Sequence, residues 1–285
     1  MEQQTTYDLL LQLTNKFAGA MDNNNFWNKL SSENKTALIV SHYFCPSRRG
    51  PSCLADNAPY NGQGGFYGPQ GDYAYVVGAK RTADSGNSGS WFTIEWREGT
   101  GLNAIDDAVM GPVRLAKRTT ENNSSTWYPR DDFSWWQDGT SNQIVIGEKF
   151  IPQDYIDKCS RFEEDSTGAY CLDCSMLTLG SHWSGHSVSR SFNSPLATGP
   201  HDYKFNATTG KSSGWYSENY QPHWGGCHAG VANFLLGDGS VRAISVTTPQ
   251  GYLYSSANNE ATNNPTNSII GRLGYVSDGY QISNL

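Results

Sequence analysis

The sequence predicts an α+β chain that is mostly β: one short amino-terminal helix, then short strands joined by long polar loops. Three observations predict it. Charged residues make up only 16% of the chain, and 30 glycines accompany frequent Asn, Ser and Thr. That mixture favours short strands and polar turns. A single apolar stripe at helical spacing stands near the start. The stretch from Cys227 to Ser245, CHAGVANFLLGDGSVRAIS, sets Asp238-Gly239 between two β-rich runs, the short-range signature of a tight hairpin.

Taken in order, Thr5 or Thr6 caps a helix running to about Ala20, with Leu9, Leu10, Leu13 and Phe17 along one face. Gly19 and the run from Met21 to Asn25 end it. Phe26, Trp27 and Leu30 suggest a further turn. Ser32 begins another, leading to Ala37 through Val40. His42-Tyr43-Phe44 reads as a strand stopped by Pro46. The Gly- and Pro-rich segment 51–71 is a loop. Asp72 to Val77 and Trp91 to Trp96 read as strands, and so does Ala108 to Ala116 across Met110-Gly111-Pro112-Val113. Asn122 to Asp132 is a polar loop. Gln143 to Phe150 is a strand begun at the Asp138-Gly139 turn, where Asn142 is placed to bond nearby backbone.

Pro152 to Ser160 holds a helical turn, and 161–223 is a loop-rich insertion. In the final hairpin a two-residue loop at Asp238-Gly239 sets Leu236 opposite Val241, Phe234 opposite Ala243 and Ala232 opposite Ser245. The Asn-rich segment 249–267 is exposed, and Ser268 to Leu273 reads as a last turn or short helix. The chain reads as one domain over 1–285, with 1–30 as its helical start.

The net charge of −7 argues against nucleic acid, whose binding is dominated by Lys and Arg on phosphate. It argues equally against a basic membrane-surface patch. No run of about 18 apolar residues occurs, so nothing in the chain reads as a membrane span, and no signal peptide is visible. Six cysteines, Cys45, Cys53, Cys159, Cys171, Cys174 and Cys227, leave the pairing open. Cys45 to Cys53 would close a short loop, and Cys159 could reach Cys171 or Cys174. Cys171-Leu172-Asp173-Cys174 has the spacing of a metal or redox pair. It lacks a second such pair and a βαβ context, which favours a disulfide framework in an exported protein.

His182 and His186 lie four apart, but Trp183-Ser184-Gly185 between them is a poor helix sequence for a zinc chelate. His201 and His223 follow as loop histidines. His228 and Asp238 invite an acid–base reading, yet no nucleophile elbow or His-Glu-x-x-His accompanies them. A structural role suffices: Asp238 and Gly239 for the turn, His228 as a polar staple beside the hairpin. Trp127, Trp135, Trp136, Trp215 and Trp224 lie in or beside polar loops. There they could stack on sugar faces or anchor an interface, or else plug the core.

His228, nine residues, then Asp238-Gly239-Ser240-Val241-Arg242 resembles the carboxy-terminal motif of a prepilin-like family of planctomycetes and related bacteria, a domain of unknown function (number 1559). Met1 to Tyr7 is similar to the family's segment after its amino-terminal helix. Phe44-Cys45-Pro46-Ser47 is similar to its Cys-Pro-Ser stretch. Asp138-Gly139-Thr140-Ser141-Asn142, then Ile144 and Gly147-Glu148, is similar to its central strand, and Arg272-Leu273-Gly274 with Asp278-Gly279 to its tail.

The resemblance implies a pilin-like module with a helix packed on an antiparallel sheet. It implies an anchor helix cut away from this chain or encoded upstream of Met1. The expected role is that of a non-enzymatic, exported subunit at the cell surface that associates with itself or with other pilin-like subunits. An extracellular module binding a glycan or other solute through loop aromatics is the alternative. No cofactor is expected apart from calcium, which similar secretion pseudopilins hold. Asp106-Asp107, Asp131-Asp132 and Glu163-Glu164-Asp165 are the acidic clusters, without EF-hand spacing.

Overall fold

A computed structural model of the chain describes residues 3–16, 29–50, 54, 68–76, 111–113, 117–118, 127–128, 131–151, 153, 156–157, 173, 189–190, 196–197, 224–248, 272–274 and 276. Its sheet is built outward from strand β4 (Ile144–Glu148), which lies between β1 (Tyr73–Val76) and β6 (Val231–Leu236). Strand β7 (Val241–Ser245) flanks β6, and β5 (Ser189–Arg190) flanks β1. The pairs β1–β4, β4–β6 and β6–β7 are antiparallel, and β5 joins the edge of β1 in parallel. The order is therefore β5-β1-β4-β6-β7. Strands β2 (Lys117–Arg118) and β3 (Trp127–Tyr128) form a separate antiparallel pair. The architecture is α+β and mostly β, as the composition implied.

The hairpin forms where expected, but its register differs by one residue. Leu235 pairs with Val241, Phe234 with Arg242 and Ala232 with Ile244. The Gly239 N–H donates to the Leu236 carbonyl at 3.0 Å, and the Leu236 N–H donates to the Ser240 carbonyl at 2.8 Å. The loop is thus Gly237-Asp238-Gly239, a turn followed by a bulge at Gly239, whose φ of 86° suits glycine. The added loop residue advances β7 by one position. Ile244 then turns inward beside Ala232, while Ala243 and Ser245 face solvent. Burying an isoleucine removes more apolar surface from water than burying alanine or serine, so packing selects this register.

Alternate residues of the sheet build the core: Ala74, Val76, Ile144, Ala232, Phe234, Leu236 and Ile244, with Trp224, Leu196 and Leu273. The Trp224 and Phe234 rings lie tilted, 5.7 Å between centroids. Gly147 sits beneath them. A Cβ there would stand 2.5 Å from Phe234 Cδ1 and 2.7 Å from Trp224 Cε3, so only glycine lets both rings close on β4.

Helix α1 (Gln4–Lys16) uses its stripe as the spacing predicted. Leu13 is buried with Leu30 and Leu38, and Leu9 and Leu10 pack against them. Helix α2 (Ser32–Ala37) is capped by Ser31, whose hydroxyl accepts from the Asn34 N–H at 3.3 Å. This small cluster is distinct from the sheet core.

Three local expectations change. Ser41–Tyr43 is a 3₁₀ turn instead of a strand: the Tyr43 and Phe44 N–H groups donate to the carbonyls of Val40 and Ser41. Gly111 and Pro112 are bends whose carbonyls accept from tryptophan side chains. Trp127–Tyr128 pairs as a strand within the expected polar loop. The expected strand 91–96, the helix beyond Lys16 and nearly all of 161–223 lie outside the described residues. Among the described residues no helix is long and apolar enough to cross a membrane.

Candidate functional site

The pleat sends odd-numbered residues of β1 to the face opposite the core, and the strand registers line them up into rows. Tyr75, Ile146, Leu235 and Val241 form one row across four strands, and Tyr73, Glu148, Asn233 and Ala243 form the next. The first row is mostly apolar; Tyr75 at one end is 38% exposed and bonds Tyr43 of the overhang, and Val241 at the other is 65% exposed. The 3₁₀ turn and the Cys-Pro-Ser segment overhang this face. Between them lies a cavity of about 560 Å³, roofed by His42, Tyr43, Cys45 and Pro46 and floored by the first row with Tyr73, Glu148 and Asn233.

At the polar end of the cavity Glu148 is buried. Its carboxylate accepts from the Asn233 backbone N–H at 2.8 Å and from Asn233 Nδ2 at 3.3 Å, and faces His228 Nε2 at 3.0 Å. Cys45 Sγ lies 3.9 Å from His228 Nε2 and 3.9 Å from Cys227 Sγ. Both cysteines are free thiols. Burial pushes the Cys227 thiol pKa up, and the adjacent Cys45 adds to the shift. Tyr73 is pushed up to about 12 by burial, with the charges of Cys45 and Glu148 acting in the same direction.

Directly after the Cys-Pro-Ser segment, Arg48 and Arg49 anchor the overhang. Asp72, buried at the start of β1, accepts from the Cys45 N–H at 2.8 Å, from Arg48 Nη1 at 3.0 Å and from Arg49 Nη2 at 2.7 Å. Arg48 Nη2 also donates to the Lys149 carbonyl at 2.7 Å and the Gly225 carbonyl at 3.1 Å. Arg49 forks onto both oxygens of the buried Asp173. Burial alone would raise the Asp72 pKa, but Arg48 and Arg49 outweigh it and hold the carboxyl below its usual range. Burial would likewise lower the Arg49 pKa, and Asp173 with Asp72 more than reverses this. Lys149, wholly buried nearby, is pulled down to about 7 by desolvation.

Two motif turns meet at the opposite end of the sheet. Asp238 Oδ1 accepts from the Ser240 N–H at 2.9 Å and the Ser240 hydroxyl at 2.6 Å, which sets the hairpin turn. Asn142 Nδ2 donates to the Asp138 carbonyl at 2.9 Å, closing the turn that contains Gly139. The Gly237 N–H donates to the Gln143 carbonyl at 2.8 Å, joining the two turns, and the Trp136 ring covers Gly237. Asp238 lies in this turn, at the end of β6 away from His228, so the structure does not bring those two together as an acid–base pair.

The aromatics divide. Trp224 is fully buried against Phe234 and presents no ring face to a ligand, which corrects its reading as a contact residue. Trp135 and Trp136 are pinned by indole N–H bonds to the Gly111 and Pro112 carbonyls, at 3.0 and 3.1 Å. The Trp127 backbone lies in β3. Of the acidic clusters, Asp132 accepts from the N–H and hydroxyl of Ser134, which lower its pKa, and so caps a 3₁₀ turn. Trp215, Cys53, Cys159, Cys171, Cys174, His182, His186, Asp106-Asp107 and Glu163 to Asp165 lie outside the described residues.

A family model described as a protein of unknown function (DUF1559) matches residues 1–251. The chain belongs to this family. No curated protein and no solved structure matches it. The DUF1559 assignment agrees with the resemblance drawn from the His228-to-Asp238 spacing and the Cys-Pro-Ser stretch. Sequence reasoning missed Asp72, Arg48, Arg49 and Asp173 as a connected set, and named Glu148 only within the resembled central strand. One signal was legible: adjacent arginines following Cys-Pro-Ser in a chain so poor in charge are natural partners for buried carboxylates.

Proposed function

We propose that this DUF1559 chain is the β-rich head of a pilin-like or pseudopilin-like subunit that works by surface contact and not by catalysis, exported to the cell surface. The observation that carries the reading is the largely apolar row Tyr75, Ile146, Leu235 and Val241 on the sheet face away from the core, with Val241 65% exposed at its β7 end. Four strands spaced about 4.8 Å apart make a row roughly 14 Å long. That matches about nine residues of α-helix at ~1.5 Å rise.

Helix α1 supplies a fitting partner surface. Its inner stripe is used within the chain, but Tyr7 and Leu11, one turn apart, are 56% and 43% exposed. A row on one copy and a stripe on another are different surfaces, so their contact is heterologous and propagates along a chain of subunits. The test is electron microscopy of the protein produced from its own gene. Filaments or ordered oligomers are expected from the wild type and not from Val241→Asp. Dispersed particles from the wild type at every concentration contradict the reading.

A second reading, a module for a glycan or other small solute, is favoured by the cavity itself. Its volume is that of small-molecule sites, and Tyr43, Tyr73 and Tyr75 line it beside Glu148 and His228. Glycan-array binding lost on Tyr75→Ala would support this module over the subunit.

A further inference from the structure

We propose that Cys45, Cys227 and His228 form a binding site for a thiophilic divalent cation, zinc being the chemical type. Cys45 Sγ stands 3.9 Å from both Cys227 Sγ and His228 Nε2, and the three ligand atoms lie within 4.8 Å of one another. Tetrahedral zinc with Zn–S of about 2.3 Å and Zn–N of about 2.0 Å puts two thiolates roughly 3.8 Å apart and a thiolate and imidazole nitrogen roughly 3.5 Å apart. The cluster is therefore near the edge lengths of a metal site. A disulfide would need the sulfurs at about 2.05 Å.

The three side chains come from segments 182 residues apart in sequence, each held independently. Cys45 is fixed through its own N–H to Asp72 Oδ2, and the arginines that follow it are tied into the buried charge knot. Cys227 and His228 leave Trp224, whose carbonyl accepts from the Ala197 N–H, and run into β6. Ligands positioned by separate rigid anchors are pre-organised for a cation.

Binding takes a neutral imidazole and two thiolates. The two thiol protons leave to solvent, and a proton on His228 Nε2 moves to Nδ1 so that Nε2 can ligate. Glu148 Oε1, 3.0 Å from Nε2, then faces the cation and keeps the two Asn233 donors. Cys227 is exposed, so the cluster opens to solvent on that side. The site is independent of whether the subunit assembles.

The test is titration of the reduced, metal-free chain, made without a histidine tag, with cobalt(II) and then zinc(II). Expected are the intense visible bands of tetrahedral cobalt thiolate, saturating at one equivalent at this site and displaced by zinc. Cys227→Ser, at an exposed position, abolishes those bands, while the double variant Cys171→Ser/Cys174→Ser keeps them. Bands that survive Cys227→Ser, or that vanish only in the double variant, overturn the proposal. So does peptide mapping of the exported protein that finds Cys45 covalently joined to Cys227.

Discussion

The two faces of the central sheet are made from the same strands and obey opposite rules. Inside, Ala74, Phe234, Leu236 and Ile144 meet Trp224 with no space to spare, and Gly147 is required because two rings close over it. Outside, Tyr75, Ile146, Leu235 and Val241 repeat the apolar character beneath the overhanging residues 42–47, across a cavity, and Glu148 and His228 stand beside them. The inner face holds the fold together. The outer face is where a subunit that works by contact would keep its contact.

Substitutions that separate the two faces come first. Trp224→Ala removes the largest fully buried side chain among the described residues and should cost about 3–5 kcal/mol in denaturant unfolding. A loss under about 1 kcal/mol would mean that the core is not centred there. Gly147→Ala forces a methyl into the Phe234 and Trp224 rings and should cost about 1–3 kcal/mol. An unchanged melting temperature would show that the rings are free to shift.

How much of this contrast was legible in the sequence follows from period and loop chemistry. The alternation in β6 identified Ala232, Phe234 and Leu236 as one face, and they are buried. The partner strand was read one position out, because Asp238-Gly239 serves both two-residue loops and three-residue loops with a bulge. Only the burial of Ile244 against Ala232 decides between them. The stripe of α1 was legible from spacing, and so were the Asp138 and Asp238 turns. The cavity was not legible, since it joins residues 42–47 to three separate later segments, 73–75, 146–148 and 228–241. Nor was the meeting of Cys45 with Cys227, because spacing made Cys53 the nearer choice.

The charge knot sharpens the comparison through pH. Asp72 has a folded pKa below its unfolded value of about 3.9, so its contribution is present above that value and lost as pH falls through the folded one. Lys149 acts in the same direction at higher pH, because desolvation depresses its folded value. Its folded value of about 7 lies under an unfolded value of about 10.4, so the folded protein sheds that proton first. Stability should therefore rise from near pH 7 towards pH 10, until Tyr73, pushed up to about 12, begins to oppose it. Chemical denaturation at steps across this range checks the slope. A Lys149→Met variant with the same upward slope would remove Lys149 as its source.

The smallest effect on the fold, and the most direct test of the central claim, comes from Val241→Asp at the open end of the outer row. Unfolding free energy should change by no more than about 0.5 kcal/mol. Sedimentation velocity over a concentration series should show the wild type associating and Val241→Asp remaining monomeric. A wild type that stays monomeric throughout, or a variant that associates equally well, would contradict an outer face built for contact.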